Sequence, residues 1–484
     1  MSKCLINGAN FIFNASLLTT KYYFYPMKKL FLVSTMLLLL SMTSVGQHKD
    51  SIAFKNIATH ILTQGKCYQD LRVLCKTIGH RLSGSAQASK AVEWAEQTLR
   101  EAGCDKVWLQ PVQVPVWRRG EEHLALKFSK EAEYIDVPMS SLGNSEGTGG
   151  RLLKAPIVMV RSFDEFEQLS KAEVEGKIIF FNYAFRQDFA HTFPGYGDAV
   201  KYRWQSPMIA GKKNVAGIII RSISTGEDDY PHTGSTKYED GSPRFPAVAI
   251  GNKTADKLEK ACLKGHAEAV LKSECSMQGT AMSFNVIGEI TGSSKPKDFI
   301  VVGGHLDSWD IGEGAHDDGA GCVQSIEVLR AYKQLGIRPK HSIRAVMFMN
   351  EENGLKGGLA YADSALARKE KHVFALESDA GGFSPRGIET TMNMQQREQF
   401  KKYIPLFLPY GVYNFDEEGG GADVSPLKKQ GVVVGELLPD SQRYFDVHHT
   451  DNDVFETVNH RELKLGAAAM AMLIYVVDQH ELLD

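Results

Sequence analysis

The stretch DFIVVGGHLDSWDIGEGAHDDGAG (298–321) decides the fold of this chain. Its apolar run at 299–302 predicts a β-strand that is buried on both faces, as in a parallel sheet. The strand leads directly into His305, and a glycine-rich turn with Asp317 and Asp318 follows. A helical pattern then begins at Gly321 and continues to about residue 334. A buried strand, a polar loop and a helix in this order are typical of α/β proteins.

The same alternation continues on both sides of this stretch. Further apolar runs predict strands at 284–290, 343–350, 373–379 and 432–438. Helical spacing predicts helices at 355–369, 395–406 and 460–480. Because strands joined through helices pair in parallel by right-handed crossovers, we predict a three-layer α/β domain with a mostly parallel central sheet.

Residues 116–281 differ in character from the segments on either side. Short strand patterns alternate there with loops rich in Gly, Pro, Asp and Tyr, and one helix stands out at 253–263. We therefore predict a catalytic domain made from 48–115 and 282–484, with 116–281 as a β-rich insertion. The insertion shows no catalytic cluster, and we interpret the following polar residues as scattered over its surface: His191, Asp228, Asp229 and His232.

Composition and the N-terminus narrow the classes of function and the location that we expect. The formal charge of −3 and the absence of a long basic run give no electrostatic reason to expect nucleic acid. From Met27, two lysines precede an apolar run and the small residues 44–46, which together predict a signal peptide at 27–46. The run is too short for the roughly 20 residues of a membrane span. We expect a periplasmic or secreted protein, with 1–26 either untranslated or a leader.

The cysteines do not indicate a metal site of their own. The chain after residue 46 has six of them in no CxxC pair, and their spacing gives no disulfide pairing. Cys322 falls within a helical pattern, and we interpret it as a small core residue rather than a nucleophile.

Five short motifs in the last third of the chain carry metal-type side chains. They are GGHLD (303–307), GAHDDGAG (314–321), MNEENG (349–354), ESDAGG (377–382) and HHTDND (448–453). Carboxyl ends of parallel strands meet at one edge of a sheet, so we expect these residues to lie together. Two imidazoles, three carboxylates and a spare glutamate suit a pair of hydrolytic zinc ions.

Within the motifs, the residue types suggest individual roles. Asp307 could accept a hydrogen bond from the second ring nitrogen of His305 and so fix its tautomer. Asp317 is the favoured ligand of its pair, while Asp318 could cap the helix that follows. Glu351 and Glu352 are adjacent carboxylates that need a nearby cation if both are to stay ionised. One of them could bind metal while the other accepts the proton of the attacking water.

The neighbouring His448 and His449 cannot readily bind the same ion. We predict that the histidine that does not bind metal lies at the rim of the site. If that residue is His448, its ring could donate a hydrogen bond to the developing oxyanion or to the carboxylate of a dipeptide.

The five motifs, in this order, resemble the co-catalytic zinc exopeptidases, the family that includes bacterial leucyl aminopeptidases and glutamate carboxypeptidases. The likeness is greatest to the plasma glutamate carboxypeptidase subgroup and extends to GGADVSPL (420–427) and YFDVHHT (444–450). It covers nearly all of the chain after the signal, because 116–281 resembles the protease-associated domain inserted in that subgroup.

The resemblance implies two zinc ions bridged by Asp317, with Glu351 as the general base. It assigns the remaining ligands in pairs, His305 with Asp379 and Glu352 with His449. His449 rather than His448 is the implied ligand because it directly precedes Thr450. The chain departs from the family at 452–454, where relatives often carry aspartate followed by threonine, and this concerns Asp453 behind the ligands. Homodimers are also implied.

These observations predict a secreted zinc exopeptidase that acts on dipeptides or short peptides with a free N-terminus. One alternative is a non-peptidase of the same fold, either a glutaminyl cyclase or a receptor-like binding protein. Another is a periplasmic peptide-binding protein, which would explain the α/β pattern and export but not the Glu351–Glu352 pair.

Overall fold

The computed structural model of the chain describes residues 48–483. The chain divides into units 1–53 and 54–484, and of the first unit the described residues 48–53 are helical. The predicted signal peptide lies outside the described residues. The helices are α1 48–64, α2 Cys67–Val73, α3 Ala86–Glu101, α4 Phe163–Gln168, α5 Lys171–Val174, α6 Thr192–Ala199, α7 Lys201–Trp204, α8 Ser206–Ala210, α9 Asn252–Leu263, α10 Ala320–Leu335, α11 Lys356–Ala367, α12 Met394–Phe400, α13 Ile404–Phe407, α14 Tyr444–Val447 and α15 His460–Gln479.

The strands form two sheets. They are β1 Lys106–Arg118, β2 Glu122–Lys127, β3 Ile135–Asp136, β4 Met139–Ser141, β5 Leu153–Val160, β6 Ile178–Phe181, β7 Gly217–Arg221, β8 Ala247–Ile250, β9 Glu268–Ser273, β10 Ser276–Ile290, β11 Lys295–His305, β12 His341–Phe348, β13 Lys371–Glu377, β14 Pro385–Thr390 and β15 Val433–Pro439. The first sheet has the order β1-β10-β12-β11-β13-β15-β14, and the second β3-β2-β9-β5-β6-β7-β8-β4.

The first sheet is mixed, which corrects the expectation of a mostly parallel one. Strands β12, β11, β13 and β15 are parallel neighbours, whereas the pairs β1–β10, β10–β12 and β14–β15 are antiparallel. The chain leaves the first sheet through the long strand β1 and re-enters it through β10, and these two strands pair along their length. Apolar patterns predict that a strand exists, but they do not show which strand pairs with it or in which direction.

Helices cover both faces of the central strands, as expected for three layers. Successive strand residues point to opposite faces, and Val301 of β11 packs in one cluster with Tyr361 and Ala365 of α11. The opposite face of β11 meets α10. A Cβ added at Gly304 would lie 2.8 Å from the backbone carbon of Gly321 and 2.3 Å from a carboxylate oxygen of Asp318. Gly304 is therefore required for the start of α10 to approach the end of β11.

Two local predictions differ from the structure in the C-terminal half. The single helix expected at 395–406 is divided into α12 and α13 by a 3₁₀ turn, Lys401–Tyr403. Pro405 has no N–H for a helical hydrogen bond, which explains why α12 does not continue. Strand β14 was not predicted, since PRGIET (385–390) lacks the apolar pattern of a strand.

The second sheet is formed entirely by strands between Glu122 and Ser273, all within the predicted insertion 116–281. Three of the short strand patterns of this segment, KIIFF (177–181), AGIII (216–220) and AVAI (247–250), correspond to β6, β7 and β8. These three strands are parallel neighbours, and all of their residues are buried. Helices α4 to α8 were not predicted. The segment therefore contains more helix than the expected β-rich insertion.

Two further observations concern membranes and thiols. Among residues 48–483, no helix has the length and apolar character needed to cross a membrane. The six cysteines of this part of the chain are free thiols. Cys322 is fully buried in α10, as its helical pattern predicted.

Candidate metal centre

Three parallel strands bring metal-type side chains to one edge of the first sheet. His305 is the last residue of β11, Glu351 and Glu352 follow the end of β12, and Asp379 follows the end of β13. Because β11 pairs in parallel with both β12 and β13, these residues emerge at the same edge.

Asp317 lies at the middle of the cluster. Its Oδ1 is 3.1 Å from His305 Nε2, and its Oδ2 is 3.1 Å from His449 Nε2. On the first side, His305 Nε2 is also 3.2 Å from Asp379 Oδ1, and on the second, His449 Nε2 is 3.2 Å from Glu352 Oε2. The cluster is thus two half-sites that share one carboxylate.

The donor atoms fit zinc. Ligand atoms around a tetrahedral ion with bonds of about 2.0–2.1 Å lie about 3.3 Å from one another, close to the separations described above. Asp317 Oδ2 is buried and accepts no hydrogen bond, so the protein alone leaves it unsatisfied. His305, Asp317 and Glu352 also form a group whose ligand atoms lie within 4.8 Å of one another. These residues could therefore hold metal.

Asp318 also lies near His305 and Asp379, but its oxygens are already engaged. Its Oδ1 accepts from the backbone N–H of Gly321 at 2.8 Å, and its Oδ2 accepts from the backbone N–H of His305 at 3.0 Å. The first bond caps the start of α10, and the second fixes the end of β11. Of the two adjacent aspartates, Asp317 is the one with a free oxygen.

Several carboxyl groups are buried together at this edge, and without a nearby cation their ionisation is unfavourable. Burial raises the pKa of Glu351 to about 8, and Asp379 and Asp317 add to the rise while His305 opposes it. Burial, followed by the charge of Asp317, holds the pKa of Glu352 well above its usual range. Bound cations would let these groups ionise.

Asp307 acts differently from the sequence expectation. Its carboxylate is 4.0 Å from His305 Nδ1, whereas its backbone carbonyl oxygen is 2.9 Å from the same nitrogen. The carbonyl is therefore the acceptor that favours a proton on Nδ1. The Asp307 carboxylate instead accepts from the backbone N–H groups of Asn350, at 2.6 Å, and Glu351, at 3.1 Å. It thus positions the glutamate pair.

Asp453 holds the segment that carries the central aspartate. Its two oxygens accept from the backbone N–H of His316, at 2.7 Å, and of Asp317, at 3.1 Å. Burial raises the pKa of Asp453 to about 7. Although residues 452–454 depart from the family pattern, Asp453 therefore supplies a carboxylate that holds the backbone of Asp317.

His449 is oriented by residues from 122–273, the segment that contains the second sheet. The sequence did not predict these contacts. The backbone N–H of Thr233 donates to the carbonyl of His449 at 3.0 Å, and the Thr233 carbonyl lies 3.2 Å from His449 Nδ1. Arg203 Nη1 is 3.3 Å from the same ring nitrogen. Neither Thr233 nor Arg203 belongs to a recognisable motif, so no local signal identified them.

The interpretation of His232 as a surface residue is wrong. Only 2% of its surface is exposed, and burial lowers its pKa to about 3, so the ring is neutral. It directly precedes Thr233 in the loop that meets His449. A turn between polar residues looks exposed in the sequence, but here the backbone N–H of His232 donates to Ser222 Oγ at 2.8 Å and the next residue bonds the backbone of His449.

His448 lies beside the ligand set. Its ring stacks on that of His449 with centroids 3.5 Å apart, and its Nε2 is 3.6 Å from Asp317 Oδ2. Both histidines line a cavity of about 430 Å³ together with Glu351 and Asp379. Residues 193–235, from the segment that contains the second sheet, also line this cavity, through Phe193, Tyr196, Arg203, Trp204 and Ser235.

A parallel-stranded edge that gathers two histidines and several carboxylates around one shared aspartate defines a metallohydrolase. The comparisons with known proteins specify which kind. A family model described as Peptidase family M28 matches residues 285–474. Human carboxypeptidase Q is 34% identical over 433 residues, which cover 89% of this chain and 89% of that protein. The chain belongs to peptidase family M28.

Solved structures agree with this assignment. A peptidase M28 precursor from Shewanella amazonensis is 33% identical, with a TM-score of 0.84 over 89% of this chain and 96% of that one. A zinc aminopeptidase from Bacillus subtilis has a TM-score of 0.62 at 20% identity, over 87% and 95% of the two chains, and shares the fold.

Proposed function

We propose that the protein is a secreted exopeptidase that uses two zinc ions to hydrolyse dipeptides or short peptides with a free N-terminus. His305 and Asp379 would hold one ion, Glu352 and His449 the other, and Asp317 both. The position of Asp317 carries this proposal, because its two oxygens each lie 3.1 Å from a different histidine. The predicted signal at 27–46 supports secretion.

Bound zinc lowers the pKa of water and polarises a carbonyl group. Glu351 would accept the proton of the attacking water and pass it to the leaving amine. Its backbone N–H donates to the Asp307 carboxylate, and the residue lines the cavity. His448 would donate a hydrogen bond to the oxyanion that develops on the scissile carbonyl.

Three observations support an exopeptidase over the non-peptidase alternatives. The full set of ligand-type residues is present, together with a spare glutamate. The similarity to human carboxypeptidase Q, an enzyme by name, extends over 89% of the chain. The cavity of about 430 Å³ is at the small end of the range for ligand pockets, which suits a short peptide. Homodimer formation stays a prediction of the family resemblance.

The test combines metal analysis with kinetics. The purified protein should bind two zinc ions per chain and hydrolyse unblocked dipeptides, and a chelator should abolish the activity. Glu351→Gln should keep both ions and lose a factor of about 100 or more in kcat, the usual contribution of a general base. Glu131→Gln, at an exposed position, is the control. Near wild-type turnover by zinc-loaded Glu351→Gln would contradict the assigned base.

A further inference from the structure

A second cavity, of about 330 Å³, adjoins the cavity at the metal centre, and we call it the side cavity. Phe193 lines both cavities. Asp379 lines the first, and the next residue, Ala380, lines the side cavity. Strands β14 and β15, at the edge of the first sheet, contribute Glu389 and Glu436 to its wall. Part of a substrate bound at the metal centre could therefore reach the side cavity.

Three glutamates lie side by side on the strands next to this cavity. Glu436 of β15 pairs with Glu377 of β13 in parallel register and with Glu389 of β14 in antiparallel register. Side chains paired in this way point to the same face of the sheet, and like charges at such positions destabilise it. The arrangement therefore needs an explanation other than the stability of the sheet.

Two of the three carboxylates are held by the loop that covers them. Glu377 accepts from the backbone N–H groups of residues 423 and 424, at 3.2 Å and 2.9 Å. A Cβ added at Gly419 would lie 2.0 Å from Glu389 Oε1, so the backbone packs against this carboxylate. Glu436 differs from both. It is partly exposed, and within residues 48–483 its carboxylate has no hydrogen bond and no ion pair.

The charges on the wall of the side cavity are not balanced. Of the described residues that line it, Arg386 is the one arginine or lysine, and its Nη2 lies 3.2 Å from Asp440 Oδ2. The glutamates of the wall are left without a basic partner on it. Burial, followed by the charge of Asp379, holds the pKa of Glu436 well above its usual range. A cation that enters the cavity would let Glu436 ionise and would pair with it.

The rest of the wall suits the long stem of a basic side chain. Phe193, Pro194, Leu438 and Pro439 give the cavity apolar surface. Lysine and arginine bury their methylene groups along such surface and keep the charged head beside polar groups. Apolar walls with one unpaired carboxylate therefore match both parts of a basic side chain. An aliphatic side chain would leave Glu436 without a partner, and an acidic one would be repelled.

The separation from the metal centre fits a side chain of that length. Asp379 lies two residues after Glu377, which is about 6.6 Å along a strand, and neighbouring strands are about 4.8 Å apart. These two steps place the backbone of Glu436 about 8 Å from that of Asp379. The four-carbon stem of a lysine and the side chain of Glu436 together span this gap.

We propose that the side cavity binds the side chain of the substrate's first residue and that Glu436 makes the protein selective for lysine or arginine there. The inference rests on the proposed function, in which the first residue carries a free amino group. Asp379 and Glu351 attract this ammonium group. The other half-site has Arg203 3.3 Å from His449 Nδ1, and the guanidinium charge repels it. The first residue is therefore expected on the Asp379 side, next to the side cavity.

The test measures kcat/KM for two dipeptides with the zinc-loaded full-length protein. Lysyl-alanine and norleucyl-alanine have the same four-carbon stem and differ in the terminal ammonium group. The wild type should prefer lysyl-alanine by about 10- to 100-fold, the usual value of a hydrogen bond to a charged group. Glu436→Gln removes the charge and keeps the size, so it should bring this ratio close to one. Glu436→Lys should favour glutamyl-alanine, a gain that damage to the fold cannot produce.

Glu418→Gln is the matched control, because Glu418 is exposed and is not among the residues that line the side cavity. It should keep the wild-type ratio. An equal fall of the ratio in Glu418→Gln and Glu436→Gln would show that only the overall charge matters, and it would overturn the inference. If Glu436→Gln does not fold, the same ratio measured with Glu436→Ala decides the question.

Three further results also overturn the inference. They are a wild type without preference for lysyl-alanine, a ratio that Glu436→Gln leaves unchanged, and an equal preference for alanyl-lysine over alanyl-norleucine. The last result would assign the side cavity to the second residue of the substrate. In all three cases the dipeptides are still hydrolysed and the proposed function stands. Absence of any zinc-dependent dipeptide hydrolysis by the wild type would instead refute the proposed function, and the inference with it.

Discussion

Replacing Arg81 by methionine is expected to destabilise the protein and to weaken metal binding. Arg81 is fully buried and lies behind the loop that joins His305 to Asp317. Its guanidinium donates to three backbone carbonyls of that loop, Leu306 at 2.6 Å, Glu313 at 2.7 Å and Gly314 at 2.9 Å. These bonds fix both ends of the segment between His305 and Asp317, two of the proposed ligands.

The size of the effect follows from these bonds. Hydrogen bonds to charged groups each contribute about 1.5–3 kcal/mol, and the bond to Glu313 is only partly buried. Three bonds at the lower end of the range give a loss of about 4.5 kcal/mol in the free energy of unfolding. Methionine fills much of the space, so the cost comes from unpaired carbonyls rather than from a cavity.

The assay has two parts. Denaturant unfolding of the metal-free protein measures the loss of stability without the contribution of bound metal. Competition with a chromophoric chelator measures zinc affinity, which should fall because the ligands are less well positioned. Arg100→Met is the control, since Arg100 is exposed and pairs with Glu96. If Arg81→Met unfolds within about 1 kcal/mol of the wild type and binds zinc equally well, the loop does not depend on Arg81.

Three further predictions concern the centre itself. Asp317→Ala should lose more zinc per folded chain than Asp318→Ala, and metal analysis with the opposite order would move the shared ligand to Asp318. His448→Ala should lower kcat/KM equally for free and amidated dipeptides, by about 2.7–4 kcal/mol, and a loss confined to free dipeptides would assign it to the carboxylate. Gly304→Ala should destabilise the protein and reduce zinc affinity, because its Cβ would lie 2.3 Å from Asp318 Oδ2; unchanged unfolding and zinc titration curves would show that the helix can shift without cost.

The sequence predicted the central strands well because their signals are local. Strand β11 is an apolar run that ends in His305, and α10 begins after a glycine-rich turn, so each boundary is marked by neighbouring residues. The same holds for β12 and the glutamate pair. Parallel strands of this kind place their carboxyl ends at one edge, and residues far apart in the chain could therefore be expected to meet.

Local sequence signals could not predict the antiparallel strands at the edges of the first sheet, and they could not predict the role of Asp307. Strand β14 pairs with β15 although its residues have no strand pattern, because its backbone supplies the bonds. Asp307 was expected to contact the ring of His305 through its carboxylate. The turn after β11 brings the backbone carbonyl to the ring instead, and the backbone direction in a turn is not encoded in residue type.

The contribution of the second sheet was the largest omission, and it has a physical cause. Thr233 and Arg203 contact His449 across 216 and 246 residues of chain, and no local pattern reports such contacts. A second link lies on the other side of the centre, where Arg119 pairs with Asp310 at 2.6 Å. Asp310 belongs to the loop between His305 and Asp317. Residues 119–233 therefore contact two segments of the candidate metal centre, this loop and the segment that carries His449. The geometry of the candidate metal centre therefore depends on both sheets, because residues from the segment of the second sheet contact the ring of His449, a proposed ligand.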